Sequence, residues 1–200
     1  MKLRIFVWIL LVFAAAFVLL GAESWLMQRD LAEKTIRLHV VANSDSAEDQ
    51  AQKLRVRDGI VEAVSRLTAD CNTAQEAEAV LSANLSELTQ TAQQVLRQEG
   101  SDYSAEALLT VEFFSTRNYD SFDLPAGKYP ALRVNIGAAE GKNWWCVVFP
   151  SLCTAATGEA MEQAAQAGGY DDGEYRLITG GEQRYTLRFK ALEWLAKLFS

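Results

Sequence analysis

Apolar and polar positions divide the chain into segments of two periods. Ile36–Asn43 alternates: Ile36, Leu38, Val40 and Ala42 share one face, while Arg37, His39 and Asn43 take the other, with Val41 the exception. This predicts a half-buried strand with His39 on its solvent side. From Ser46 the period becomes helical. Leu54, Ile60, Val61, Val64 and Leu67 fall on one face, which predicts a helix running to Leu67. Ser46 followed by Asp49 resembles a capping box, and Glu48 and Asp49 suit the positive end of a helix. Ala69–Thr73 breaks the pattern. Thr73 with Glu76 then starts a second helix over residues 74–98, with Ala77, Val80, Leu81, Leu85, Leu88, Val95 and Leu96 inward and Gly100 just past its end.

The period then returns to two. Ala107, Leu109, Val111 and Phe113 form one face of a strand whose other face holds Glu106, Thr110 and Glu112. Pro125-Ala126-Gly127 marks a turn. Leu132, Val134 and Ile136 alternate with Arg133 and Asn135 in the next strand, and Gly137 to Lys142 is a loop. Trp144–Phe149 is apolar on both faces, the pattern of a central or well-covered strand. Short connections between the last three strands favour antiparallel pairing. The order β-α-α-β-β-β predicts an α+β fold: a mostly antiparallel four-stranded sheet with helices on one face. Beyond it, Gly158–Gln166 is a weak helical stretch, and Tyr185–Phe199 reads as an amphipathic helix with Phe189, Leu192, Leu195, Leu198 and Phe199 apolar.

The N-terminus adds a separate element. Lys2 and Arg4 precede an unbroken apolar run, Ile5–Leu20, followed by Gly21-Ala22. That is the pattern of an export signal or a membrane anchor, and both readings stand. The chain therefore divides into a signal or anchor (1–22), a spacer (23–35), an α+β domain (36–153) and a variable loop with a C-terminal helix (154–200). The net charge is −7 over 200 residues. This argues against a nucleic-acid partner, because such affinity rests on cations neutralising phosphates.

Chemistry-bearing motifs are sparse. The sequence holds no Gly-rich phosphate loop, nucleophile elbow or His-Glu-x-x-His pattern. There is a single His, His39, and no Cys-x-x-Cys among the three cysteines, so neither a metal nor another cofactor is expected. Outside the cytoplasm Cys146 and Cys153 can bridge around Pro150, leaving Cys71 over; three buried thiols are the alternative. His39 with Cys146, Cys153 or Ser44 as nucleophile and Asp45 as orienter sketches a hydrolase. The plainer reading has His39 pairing across the strand to Glu112 or to backbone. Asn43–Asp58 is densely polar at a strand-to-helix junction, suited to an anion, or simply to capping with Arg55, Arg57 and Asp58 solvated. Trp144 and Trp145 must point to opposite faces, so one can be an exposed interface anchor.

Two long blocks carry a family resemblance. Residues 36–58 (IRLHVVANSDSAEDQAQKLRVRD) resemble the opening of the stage II sporulation protein R family. Pro125–Cys153 resembles its second block, through Leu-Pro-Ala-Gly, Ala-Leu-Arg, Gly-Lys-Asn-Trp-Trp-Cys and Phe-Pro-x-Leu-Cys. Arg188-Phe189-Lys190 with Glu193-Trp194 is similar too. Ser151 and Thr154 depart from the pattern, where a second proline and an aromatic residue are expected. The resemblance implies a non-enzymatic signalling protein, exported from the forespore into the space between forespore and mother cell. There it would trigger a membrane-embedded aspartic protease that matures pro-sigma-E. No small-molecule substrate is implied. The expected contact is a polar patch of His39, Asn43, Asp45, Arg55 and Asp58 beside one exposed tryptophan, Trp144 or Trp145. The rival readings are an exported cell-wall or peptide hydrolase and a septal scaffold.

Overall fold

The computed structural model describes Trp8 and residues 25–180, Asp120 and Ala156 excepted. The elements are α1 (25–33), β1 (Ile36–Val41), α2 (Ala47–Leu67), α3 (Ala74–Ala83), α4 (Leu85–Gln98), β2 (Ala105–Phe114), β3 (Arg117–Asn118) and β4 (Asp123–Leu124). They continue with β5 (Gly127–Ile136), β6 (Asn143–Phe149), a 3₁₀ turn (Leu152–Thr154), α5 (Gly158–Ala167) and α6 (Asp172–Thr179).

The fold is α+β, but the sheet is mixed, with the order β2-β5-β1-β6. β1 runs parallel to β5 and antiparallel to β6, and β2 is antiparallel to β5. The expectation of a mostly antiparallel sheet with β5 and β6 as neighbours is therefore corrected: β1 inserts between them. The reason lies in β1 itself. All six of its residues are buried, Arg37 and His39 included. Such a strand belongs in the middle of a sheet, flanked and covered on both faces. β1, expected to be half-buried, is thus central, while β6 is an edge strand whose Cys146–Phe149 are buried, the well-covered alternative.

One face of the sheet packs on helices as the periodicity requires. Leu38, Val40, Leu132, Val134, Ile136, Cys146 and Val148 meet Val56, Ile60 and Val64 of α2, Leu81 of α3, and Leu88, Ala92 and Leu96 of α4. Leu54, expected inside, is exposed. The helix predicted over 74–98 is two helices broken at Asn84. Its N–H bonds Leu81 O at 3.1 Å and its side chain bonds Val80 O at 2.8 Å. A short amide side chain competes in this way with the helical ladder. Ser46 and Thr73 cap α2 and α3, accepting from Asp49 N and Glu76 N. Glu76 returns to Asn72 N rather than to the cap residue.

Helices lie on the second face as well, not on one face only. Leu31, Phe122, Leu124, Val147, Leu152, Met161, Ala165, Tyr170 and Ile178 form a second apolar cluster from α1, the β3–β4 hairpin, α5 and α6. The spacer is thus partly a helix whose Leu31 is fully buried. Lys34 ties it to α6, reaching Asp30 at 2.9 Å and Glu174 at 2.8 Å. Asp171 and Glu174 start α6 with a full capping box. Among the described residues no helix is long and apolar enough to cross a membrane. The predicted signal or anchor (Trp8 aside) and the predicted C-terminal helix lie outside the described residues.

Because β1 is the strand both layers rest on, Leu38→Ala is expected to lower stability by about 2–5 kcal/mol, read as a fall in the urea midpoint with unchanged slope.

Candidate functional site

Away from α1, α5 and α6, the second face of the sheet carries a polar network on three adjacent strands. His39 on β1 stands beside Arg133 on β5 and Trp145 on β6. Glu112 on β2 reaches across β5. Its Oε2 bonds His39 Nδ1 at 2.7 Å, and its Oε1 accepts from Arg133 Nη1 at 3.2 Å. The strand position between them is Ala131, which pairs with both Thr110 and Arg37. Its small side chain leaves room for the carboxylate to bridge. Arg133 Nε also donates to Asn135 Oδ1 at 2.8 Å, and His39 Nε2 bonds Asn143 Oδ1 at 2.9 Å. Trp145 stacks on the imidazole with centroids 5.7 Å apart, and the Arg117 guanidinium lies 3.7 Å from its ring centroid. Such charge–aromatic stacking is worth about 0.5–2 kcal/mol.

Below this network Arg37 is completely buried. Its Nη2 donates to Tyr119 Oη at 2.7 Å, and its guanidinium lies 4.1 Å from the Phe114 ring centroid and 5.2 Å from that of Tyr129. Among the described residues its Nε and Nη1 have no hydrogen-bond partner, nor does Arg117 Nε. Burial pushes the Tyr119 phenol up, the nearby Arg37 charge offsetting part of that. Aromatic faces thus stand in for a carboxylate around Arg37, at some cost in stability.

The expected contact patch does not assemble as one surface. Only His39 and Trp145 meet on the second face. Asn43 and Asp45 close the β1–α2 junction: Asn43 donates to Asp49 at 2.8 Å and accepts from Ala138 N at 2.9 Å, and Asp45 accepts from Lys142 N at 2.7 Å. A side chain at Gly137 or Gly141 would collide with this junction, and Gly137 also has φ +56°. Burial lowers the Lys53 ammonium pKa there; its Nζ donates to Gln50 at 2.6 Å and to Lys142 O at 2.9 Å. Arg55 pairs with Glu99 in solvent. Asp58 pairs with Arg57, whose guanidinium covers Trp144 at 4.7 Å. Asp58 and Trp144 line a cleft of about 650 Å³ beside β6, with Cys146 and Cys153 in its wall. Each tryptophan is half-buried, so neither is the freely exposed anchor expected.

The hydrolase sketch is not assembled either. Cys146 and Cys153 are joined to each other with Cα atoms 6.2 Å apart. Cys146 belongs to the α2–α4 side of the sheet, opposite His39. Ser44 donates to Asp49 at 2.6 Å. The carboxylate on His39 is Glu112, not Asp45. Among the described residues no cluster of His, Cys, Asp or Glu is placed to hold a metal. Arg133, Arg117 and Asn143 were not singled out by sequence. Strand alternation sets Arg133 and Asn143 on the face of His39 and Trp145 without saying that they touch, whereas Arg117 comes from the separate β3–β4 hairpin and had no signal in the sequence.

The model of the family described as stage II sporulation protein R matches residues 32–159. The chain belongs to the stage II sporulation protein R family. It is also 31% identical over 164 residues to the stage II sporulation protein R of Bacillus subtilis (strain 168), covering 78% of this chain and 73% of that protein. No solved structure matches. The family match runs from α1 to the start of α5 and so takes in Arg37, His39, Glu112, Arg133 and Trp145, while α6 falls outside it.

The junction makes a pH prediction. Hydrogen bonds from Ser44, then Asn43, hold the Asp49 carboxyl below its ordinary 3.8. A depressed carboxylate contributes stability present above the unfolded-state pKa and lost as pH falls through the folded one. Asp49→Asn is expected to cost about 1–3 kcal/mol at pH 7 and to flatten the loss of stability below about pH 4, measured by urea unfolding at several pH values.

Proposed function

We propose that this chain is an exported signalling protein that activates the membrane-embedded aspartic protease which matures pro-sigma-E during endospore formation. Family membership supports a role in sporulation. The export pattern of residues 1–22 supports action outside the cytoplasm. The observation that carries an activator reading is the chemistry of the second face. Both ring nitrogens of His39 are already bonded, to Glu112 and Asn143, so neither is free to activate a nucleophile. What this face offers is a preorganised surface: half-exposed Trp145 and Arg133, fixed by buried or half-buried neighbours. Aromatic and arginine side chains held in this way dominate interface energies. Docking there shifts the protease toward its active form only by binding that form more tightly. The contact is therefore Trp145, Arg133 and Arg117 around His39. Arg55 and Asp58 stand apart from it.

The test is co-expression of the exported chain with the cognate protease and its sigma-factor precursor in a non-sporulating host. Trp145→Ala and Arg133→Glu are expected to reduce precursor shortening about tenfold or more in variants that circular dichroism shows to be folded and that are exported. Arg55→Ala is expected to leave it unchanged. Full processing by folded Trp145→Ala and Arg133→Glu variants would remove this face from the contact. Absence of processing with the parent chain, shown to be folded and outside, would count against the activator reading. Turnover of a wall fragment or peptide by pure protein would favour a hydrolase.

A further inference from the structure

β2 is an edge strand of the sheet, and α4 guards only the first half of its outer edge. Ala105 N donates to Gln93 Oε1 at 3.0 Å and Ala107 N donates to Thr89 Oγ1 at 3.0 Å, both side chains of α4. The β2–β5 register is unbroken from Ala105 to Phe114. In an antiparallel ladder alternate residues turn both peptide groups outward, so Leu109, Val111 and Phe113 continue the outward series. Among the described residues no side chain guards those three. The same half exposes two large apolar side chains, Val111 at 66% and Phe113 at 61%, on the face that is core at Ala107. Open edge peptides beside exposed apolar groups are a template for pairing with another strand.

The open half of β2 is complementary to itself. We propose that it pairs antiparallel with β2 of a second copy of this chain, about a two-fold axis at Val111. Such a ladder forms only where outward residues meet outward residues, which leaves few registers. With the axis at Glu112, that carboxylate stands directly against the partner's Glu112, and like charges directly opposite are destabilising. With the axis at Thr110, Phe113 meets the partner's Ala107, whose N–H is already taken by Thr89. With the axis at Val111, all three open positions are used. Val111 meets the partner's Val111, Leu109 meets the partner's Phe113, and Glu112 meets the partner's Thr110. Directly paired residues share a face, so Val111 and Phe113 of both copies join into one apolar strip on the helix side. On the other face Glu112, already held by His39 and Arg133, gains a hydroxyl neighbour. The contact is isologous, the commonest form of soluble homodimer. Its axis is normal to the joined sheet, so the Trp145–Arg133 faces of both copies lie on the same side.

A ladder this short belongs with weak contacts, below about 1,200 Å². Association of the full chain in detergent is therefore followed by sedimentation equilibrium from about 1 μM to about 1 mM. A monomer–dimer equilibrium is expected. Val111→Lys sets two ammonium groups face to face at an exposed position and is expected to weaken it about tenfold or more. Disulfides in a Cys71→Ser background read the register. Val111→Cys is expected to oxidise to a dimer joined at position 111 about tenfold or more faster than Leu54→Cys, an exposed control on α2, since hydrogen-bonded strand partners lie about 5.5 Å apart, within disulfide reach. Leu109→Cys and Phe113→Cys chains are expected to bond to each other when mixed and not to themselves when alone. A chain that stays monomeric at about 1 mM would overturn the proposal. So would a dimer that Val111→Lys leaves intact and that forms no bond at position 111.

Discussion

The structure depends on burying β1 on both of its faces. One face, Ile36, Leu38 and Val40, is an ordinary apolar strand surface against α2 and α4. The other carries a guanidinium and an imidazole into the interior at Arg37 and His39. Polar groups taken out of water must find partners or destabilise the fold. Much of the second layer answers that demand. Phe114, Tyr129 and Tyr119 surround Arg37, and Tyr129 is itself held by a hydrogen bond to Pro125 O at 2.9 Å. Burial raises the Tyr129 phenol far above its ordinary range, so it remains a neutral donor.

Packing of this kind is directional. The second face is closed at the Arg37 end by α1, β3–β4, α5 and α6 and half-open at the His39 end. Glu112 lies between these regimes and spans β5 to reach His39. The result is a surface whose charges are mutually paired and whose aromatic ring is fixed from two directions, by His39 and by Arg117. Preorganisation lowers the ordering cost of binding a partner. This links the strain of a buried cationic strand to a surface suited to recognition.

The two sheet edges are managed differently. β6 receives a guard from its own continuation, since Val147 N donates to Cys153 Sγ at 3.1 Å in the turn that the Cys146–Cys153 pair closes. β2 borrows side chains from α4 at one end and presents apolar groups at the other. An edge that is closed locally needs no distant sequence, whereas exposed edge peptides beside apolar groups are a template for pairing.

Local physics made much of this legible in the residues alone. Period-two and period-3.6 patterns located β1, α2, β2, β5 and β6. Ser46 and Thr73 marked helix starts because a hydroxyl satisfies a terminal N–H wherever the helix later packs. The blocks at 36–58 and 125–153 carried the family, and Glu112 was a foreseeable partner for His39 through strand alternation. Several features were decided only by tertiary structure. β1 lies between β5 and β6 because its second face is buried, a fact that alternation reads as solvent exposure. Val111 and Phe113 are exposed because α4 guards only the first half of β2, although their pattern is that of core. The polar residues Asn43, Asp45, Arg55 and Asp58 look like one patch along the chain. The turn at the β1–α2 junction and the twist of a helix send them in different directions. Spacing along a segment fixes which residues share a face; what lies over that face depends on elements far away in sequence, and that decided the site.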